Sequence, residues 1–327
     1  MRTITVGTAH SQGPGVSKGI LEVGYLPDGM PIEIPVIIVQ GATSGPVVWM
    51  HACVHGNEYC GTYCIHSLIR SLDVATVSGT VVALPVLNIT GFQRNQRMSP
   101  FDGYDGGDLN RFFPGDGKGS LTAQMAEAIW APLREYADYH IDMHTALTPD
   151  TRWALFSPPD GQTGSQAEGM ARAFGYTNTL PAPLSILGGS SLIEAAKVGI
   201  PGLLVEAGGV GPGFLPETVA DVAQRLRNVL RHLGMLPGEV VQYEAMTFFS
   251  DFAWVTAKRG GLWRASVVCG ETVERGQLVG RFYDLFGDLI EEALTPEPGV
   301  ILAVAAGPTM PTGEIIVHVG LNPRPAL

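Results

Sequence analysis

Short apolar runs alternate with helix-forming segments as far as about residue 235, and this alternation constrains the fold more than any other feature. Val47 to Met50 reads as a short apolar strand, and Asn57 is expected to cap a helix running toward Arg70. Gly79 to Leu87 reads as a buried strand, Thr122 to Tyr136 as a helix, and a further strand ends near His144. Another helix is expected before Gly199, then a buried strand from Gly202 to Glu206. From Val219 to Leu233, Val222, Leu226, Val229 and Leu230 line one helical face. Upstream, residues 19 to 41 read as two strands around a turn at Pro27-Asp28-Gly29. The expected fold class is α/β: a mostly parallel or mixed sheet flanked by helices.

After about Pro237 the pattern changes to short β runs punctuated by glycine and proline, from Ala253 to Val319. A small C-terminal all-β domain is expected, with 327 residues dividing into a catalytic unit over 1–240 and a β unit over 241–327. Between the strands, Gly91 to Gly119 is dense in Gly, Asp, Arg and Pro, without a clear period. Long irregular segments in compact domains tend to carry function.

A net charge of −11 argues against nucleic acid or an anionic membrane as the main partner. The N-terminal Met1-Arg2-Thr3-Ile4-Thr5-Val6-Gly7 lacks the apolar stretch of a secretory signal, and no later run has the length of a membrane span. The four cysteines, Cys53, Cys60, Cys64 and Cys269, match no disulfide framework or Cys-rich zinc module, so a cytoplasmic protein is expected.

The chemistry starts at His55-Gly56-Asn57-Glu58, at the mouth of the strand Val47 to Met50. A strand-to-helix turn can bring an imidazole and a carboxylate three positions apart to the same side, as zinc requires. A third ligand must come from a distant segment, and His144 stands at the end of another strand, with Glu206 at a third. His51 lies on its strand and reads as a buried or hydrogen-bonded imidazole. His66 is more than two helical turns from Glu58, and His140 is separated from His144 by more than about 10 Å along an extended strand. All three are assigned structural roles.

The segments His55-Gly56-Asn57-Glu58, Asp108-Leu109-Asn110-Arg111 and Asp142-Met143-His144 resemble the succinylglutamate desuccinylase/aspartoacylase family, of the zinc carboxypeptidase-like fold. Ile200 to Gly209 resembles that family's catalytic-glutamate segment, and the β appendage resembles its C-terminal barrel-like domain. The resemblance spans about residues 20 to 235. It implies one zinc ion per chain held by His55, Glu58 and His144, with Glu206 as the group that activates water. It further implies that Asn110 and Arg111 grip a substrate carboxylate. Arg97 is the candidate for the arginine that polarises the scissile carbonyl, with Arg94 within reach of the same loop.

These roles suit the residue types. A glutamate beside a metal can accept a proton and return it to a leaving amine. Arginine's planar fork captures carboxylates, and a second guanidinium stabilises an oxyanion. Cys60 and Cys64, one helical turn apart, are expected to pack against the sheet, and Cys53 stands two residues before His55. Asp102, Asp105 and Asp108 resemble a calcium loop only superficially, since the twelfth-position glutamate is missing. Gly188-Gly189-Ser190-Ser191 reads as a helix entry, because no lysine follows to make a phosphate cradle. Lys258 has no Met-Lys-Met-like context of a carrier domain, so the β unit is expected to be structural, oligomer-forming or a wall of the site.

The expected activity is a zinc-dependent deacylase cleaving the amide of a small N-acylated amino acid or amine that bears a carboxylate. A metallocarboxypeptidase acting on short peptides, or a catalytically silent zinc-binding protein of the same fold, is the alternative. A homo-oligomer is compatible with the apolar β unit.

Overall fold

The computed structural model describes residues 2–102, 106–147, 150–158, 160–211, 213–243, 246–305 and 307–325. A small hairpin of β1 (Thr5–Val6) and β2 (Ala9–His10) precedes the long antiparallel pair β3 (Gly15–Tyr25) and β4 (Pro31–Gln40). β5 (Thr43–Ala52) leads through the ligand loop to α1 (Cys60–Ser71), then β6 (Ser78–Leu84), α2 (Ile89–Arg94) and a 3₁₀ turn over Leu109–Arg111. α3 (Leu121–Tyr136), β7 (Tyr139–His144), β8 (Thr151–Phe156), α4 (Gly161–Phe174), β9 (Asn178–Pro181), α5 (Leu184–Leu187), α6 (Ser191–Lys197), β10 (Gly202–Gly208) and α7 (Pro216–His232) follow. The chain continues through β11 (Thr247–Phe248), β12 (Asp251–Thr256), β13 (Gly261–Ala265), β14 (Thr272–Val273) and β15 (Leu278–Tyr283). It ends with β16 (Leu289–Leu294), β17 (Gly299–Val304), β18 (Thr309–Met310), β19 (Ile315–Leu321) and β20 (Arg324–Pro325).

The large sheet has the order β20-β11-β9-β8-β10-β7-β5-β6-β4-β3. Its centre is parallel, with β6, β5, β7 and β10 side by side, while β8 enters antiparallel to β10. β6, β7 and β10 are buried nearly end to end and β5 over its second half, as expected where helices cover both faces, whereas the edge strand β3 alternates between half-buried and exposed. On one face Cys60, Cys64, Ile65 and Leu68 of α1 pack with Met170 and Phe174 of α4 and Val222, Leu226 and Val229 of α7. On the other, Met125, Ile129, Trp130 and Leu133 of α3 pack against Ile34, Ile38, Trp49 and Val82. The two helical cysteines are core packing, as expected.

The C-terminal strands form two four-stranded sheets, β12-β19-β17-β14 and β16-β15-β13-β18, around a core that includes Trp263, Val279, Phe282 and Val317. Phe249, Phe252, Leu302 and Ala303 join this region to Trp153, Leu155, Leu180 and Leu204 of the large sheet. β11 and β20 belong to the large sheet, so the chain leaves it and returns. Among the described residues, no helix is long and apolar enough to cross a membrane.

The helix expected behind Asn57 begins later. Tyr59 occupies the cap position without a side-chain cap, and α1 starts at Cys60. Residues 53–58 form the turn that carries His55 and Glu58, and the Asn57 carbonyl accepts from Gly211 N at 2.7 Å. The irregular segment from Gly91 is also partly ordered, because Asn88 Oδ1 caps α2 through Gly91 N. The Gly188–Ser191 turn is a helix entry, with Ser190 capping α6.

Candidate metal centre

Strand pairing assembles the site at the carboxyl ends of parallel strands, where open α/β sheets bind ligands. His144 ends β7 and is in register with Glu206 of β10, while Glu206 pairs across to Trp153 of β8. His55 and Glu58 lie just beyond β5, whose His51 is in register with Asp142. The backbone turns sharply there, with Cys53 at φ 50°, a left-handed conformation supported by the bond from its Sγ to the Glu58 carbonyl at 3.1 Å. Burial pushes the Cys53 thiol up to about 12, so it remains a neutral packing group.

The sequence-derived triad comes together. His55 Nδ1 lies 2.8 Å from Glu58 Oε1, and His144 Nδ1 lies 3.0 Å from Glu58 Oε2. All three side chains are buried, and they form a group whose ligand atoms lie within 4.8 Å of one another. Each imidazole also has a carboxylate on its far nitrogen: Asp108 Oδ1 is 3.0 Å from His55 Nε2, and Asp142 Oδ1 is 3.1 Å from His144 Nε2. Two nitrogens and one carboxylate facing inward, with both rings oriented from outside, fit a zinc ion.

Burial alone would raise the Glu58 carboxyl, but His55 and His144 override it and hold Glu58 well below the usual carboxylate range. For Asp108, burial likewise raises, and His55 with Arg97 more than compensates. His144 is pulled down by burial and up by Asp142 and Glu58, ending well above the ordinary histidine value. Glu206 differs from the other carboxylates. Burial and the neighbouring Glu58 charge push it up to about 8 against the pull of His144 and Arg97, and its Oε2 is buried without a hydrogen-bond partner.

Arg97 reaches the centre, with Nη1 3.2 Å from Glu58 Oε1 and Nη2 3.3 Å from Asp108 Oδ2, while its side chain is 44% exposed and open to a ligand. Arg94 sits exposed at the end of α2 and makes no ion pair among the described residues. Asn110 is buried, with Nδ2 3.4 Å from His144 Nε2 and Oδ1 accepting from Ser191 N at 3.3 Å. Arg111 is exposed at the rim, and its Nη1 donates to the Asn110 carbonyl at 2.8 Å.

His66 lies on α1, away from both histidine clusters, but His51 and His140 join Asp142 in a second buried group. Period-two alternation would have found it, since His140, Asp142 and His144 share one face of β7. Asp108 also acts on the centre rather than in a cation loop; Asp102 instead accepts from Thr122 N at 2.8 Å, and Asp105 lies outside the described residues. Trp153, opposite Glu206, is flanked by Phe252 and His318 of the C-terminal sheets, each at a ring separation of 5.9 Å. No sequence signal connected His318 to the site. Burial, with the Arg97 charge adding, lowers it to about 4 and keeps it neutral.

The sequence model of the Succinylglutamate desuccinylase/Aspartoacylase catalytic domain matches residues 44–233. The chain belongs to this family. It is 28% identical over 292 residues to the N-alpha-acetyl-L-2,4-diaminobutyric acid deacetylase of Halomonas elongata, covering 85% of this chain and 83% of that protein. A succinylglutamate desuccinylase/aspartoacylase from Rhodobacter sphaeroides superposes with a TM-score of 0.79 at 27% identity, covering 95% of this chain and 96% of that one. The product-bound ectoine utilization protein EutE (DoeB) from Ruegeria pomeroyi shares the fold, with a TM-score of 0.82 at 24% identity over 94% and 96% of the two chains.

Proposed function

We propose that this protein is a zinc-dependent amidohydrolase that removes the acyl group from a small N-acylated amino acid. The observation that carries this reading is the pairing of two unlike carboxylates. Glu58 is held ionised between the His55 and His144 imidazoles, while Glu206 beside them is half-buried, has a buried Oε2 without a hydrogen-bond partner, and is raised to about 8. Carboxylates pushed apart in this way divide into a ligand and a proton carrier.

His55 Nδ1, Glu58 and His144 Nδ1 would hold the zinc, which when bound acidifies water and polarises a carbonyl. Glu206, which the positive charge of a bound zinc would lower, can then take a proton from the attacking water on its carboxylate and hand it to the leaving nitrogen. Arg97, poised at Glu58 and Asp108, places its guanidinium against the acyl oxygen as negative charge develops there. Arg111 at the rim and the buried Asn110 beside it anchor the substrate carboxylate.

The activity of the Halomonas elongata relative supports an N-acylated amino acid as substrate. The packing of Phe252 and His318 against Trp153 walls the site beside Glu206, which suits a small substrate over an extended peptide. On this reading, 1–240 is the catalytic unit, and 241–327 contributes a wall.

Zinc-loaded protein should be assayed for amine release from N-acetyl, N-succinyl and N-formyl amino acids and diamino acids, with dipeptides alongside. Deacylation of at least one acyl-amino acid, at a rate above that of any dipeptide, is expected. Exclusive dipeptide cleavage, or no turnover across the panel, contradicts the proposal.

A further inference from the structure

The second histidine cluster lies beneath the first. His51, His140 and Asp142 are fully buried, and their candidate ligand atoms lie within 4.8 Å of one another. The pattern invites a second metal, but the protonation of His51 argues against one. Trp49 Nε1 donates to His51 Nδ1 at 3.3 Å. An indole nitrogen can only donate, so His51 Nδ1 carries the lone pair and a neutral ring has its proton on Nε2. That Nε2 faces Asp142 Oδ1 at 3.0 Å. A nitrogen occupied by a proton is not a ligand, and the cluster is a buried polar network in which His51 Nε2 also lies 3.3 Å from Ser191 Oγ.

We infer that His51 is a positioning residue for the metal centre, acting through Asp142 on the ring of His144. This rests on His55, Glu58 and His144 being the metal ligands. Asp142 Oδ1 stands between His51 Nε2 at 3.0 Å and His144 Nε2 at 3.1 Å, and Asp142 Oδ2 accepts from Ser191 Oγ at 2.7 Å. Trp49 sets the tautomer of His51, whose Nε2 donates to Ser191 Oγ at 3.3 Å, and Ser191 in turn donates to Asp142 Oδ2. Asp142 Oδ1 lies close to both rings without an aligned hydrogen bond. The charge of that carboxylate, 3.1 Å from His144 Nε2, favours a proton on that nitrogen and so leaves Nδ1 to face Glu58 and the metal. His140 does not compete for Asp142. Its Nε2 is 3.4 Å from His51 Nε2, and burial together with His51 lowers it to about 3 and keeps it neutral. Register produces the arrangement, since Trp49 pairs with His140 and His51 with Asp142 across β5 and β7.

Removing the His51 donor leaves Ser191 and the buried Asp142 carboxylate without that neighbour while every metal ligand stays in place. The test compares wild type, His51→Leu and His51→Gln by zinc competition with a chromophoric chelator, and by kcat and KM on the best substrate. His51→Leu should fold, bind zinc about 10- to 100-fold more weakly and lose kcat, with KM little changed. His51→Gln, whose amide can donate to Ser191 beside Asp142, should recover most of both. Wild-type zinc affinity and kcat in His51→Leu overturn the inference, as does a His51→Gln variant that is no better than His51→Leu. If His51→Leu does not fold, Trp49→Phe removes the donor that sets the tautomer while keeping an aromatic ring in the core. It should weaken zinc several-fold, and an unchanged affinity overturns the inference. Wild-type protein that binds no zinc fails the proposed function itself, whereas zinc-loaded wild type beside an unaffected His51→Leu fails this inference alone.

Discussion

A single methyl group at Gly56 should uncouple the arginine from the metal ligands. A Cβ on Gly56 would lie 2.2 Å from both Gly91 C and Phe92 N, and 2.6 Å from Gly91 Cα. All three are backbone atoms of α2, so no rotamer change relieves the contact. Reaching even a tight 3.4 Å separation requires α2 and the ligand loop to part by about 1.2 Å. The same loop carries the bond from Gly56 N to the Arg97 carbonyl at 3.1 Å, which a retreat of this size breaks. The Arg97 contacts of 3.2 and 3.3 Å to Glu58 and Asp108 open with it. Overpacking of this kind costs about 1–3 kcal/mol, and misplacement of a catalytic group by about 1 Å costs roughly 10²-fold in rate. Gly56→Ala should therefore show a Tm lowered by several degrees in thermal circular dichroism and a kcat lowered by about two orders of magnitude. Zinc content should remain near wild type, because the ligands follow β5 and β7 rather than α2. Wild-type Tm and kcat in Gly56→Ala would refute this account of how the arginine is placed.

Glu206→Gln should keep its zinc and lose roughly 10²- to 10⁴-fold in kcat in steady-state assays; unimpaired turnover removes Glu206 from the mechanism. Arg97→Ala should lower kcat by about 10²- to 10³-fold while Arg94→Ala leaves it near wild type, and equal effects would contradict the assignment. Glu58, Asp108 and Asp142 are all held below their unfolded values, so their stabilisation is present above about pH 4 and is lost as the pH falls through the folded values. Scanning calorimetry of the metal-free protein should show Tm falling on acidification below about pH 4, and a flat profile down to pH 3 would contradict this.

The fold class was legible because β5, β6 and β10 carry short apolar runs with clear helices between them, while β7 shows period-two alternation. The stretch containing β8 and α4 was not, because Gln162-Thr163-Gly164-Ser165-Gln166 has little apolar period and owes its helix to packing of Ala167, Met170 and Phe174. His55, Glu58 and His144 were legible through ligand spacing and motif order. His51 and Asp142 act through strand register between distant segments, which no local spacing displays. His318 reaches Trp153 only because the C-terminal sheets dock beside β8, a placement set by tertiary packing of Phe249, Phe252 and Leu302.

The central claim is that His55, Glu58 and His144 hold one zinc on which hydrolysis depends. Elemental analysis of the purified chain, with activity followed through chelation and zinc re-addition, tests it most directly. The account predicts about one zinc per chain, loss of deacylase activity on chelation and its return with zinc. Full deacylase activity in metal-free protein would contradict it.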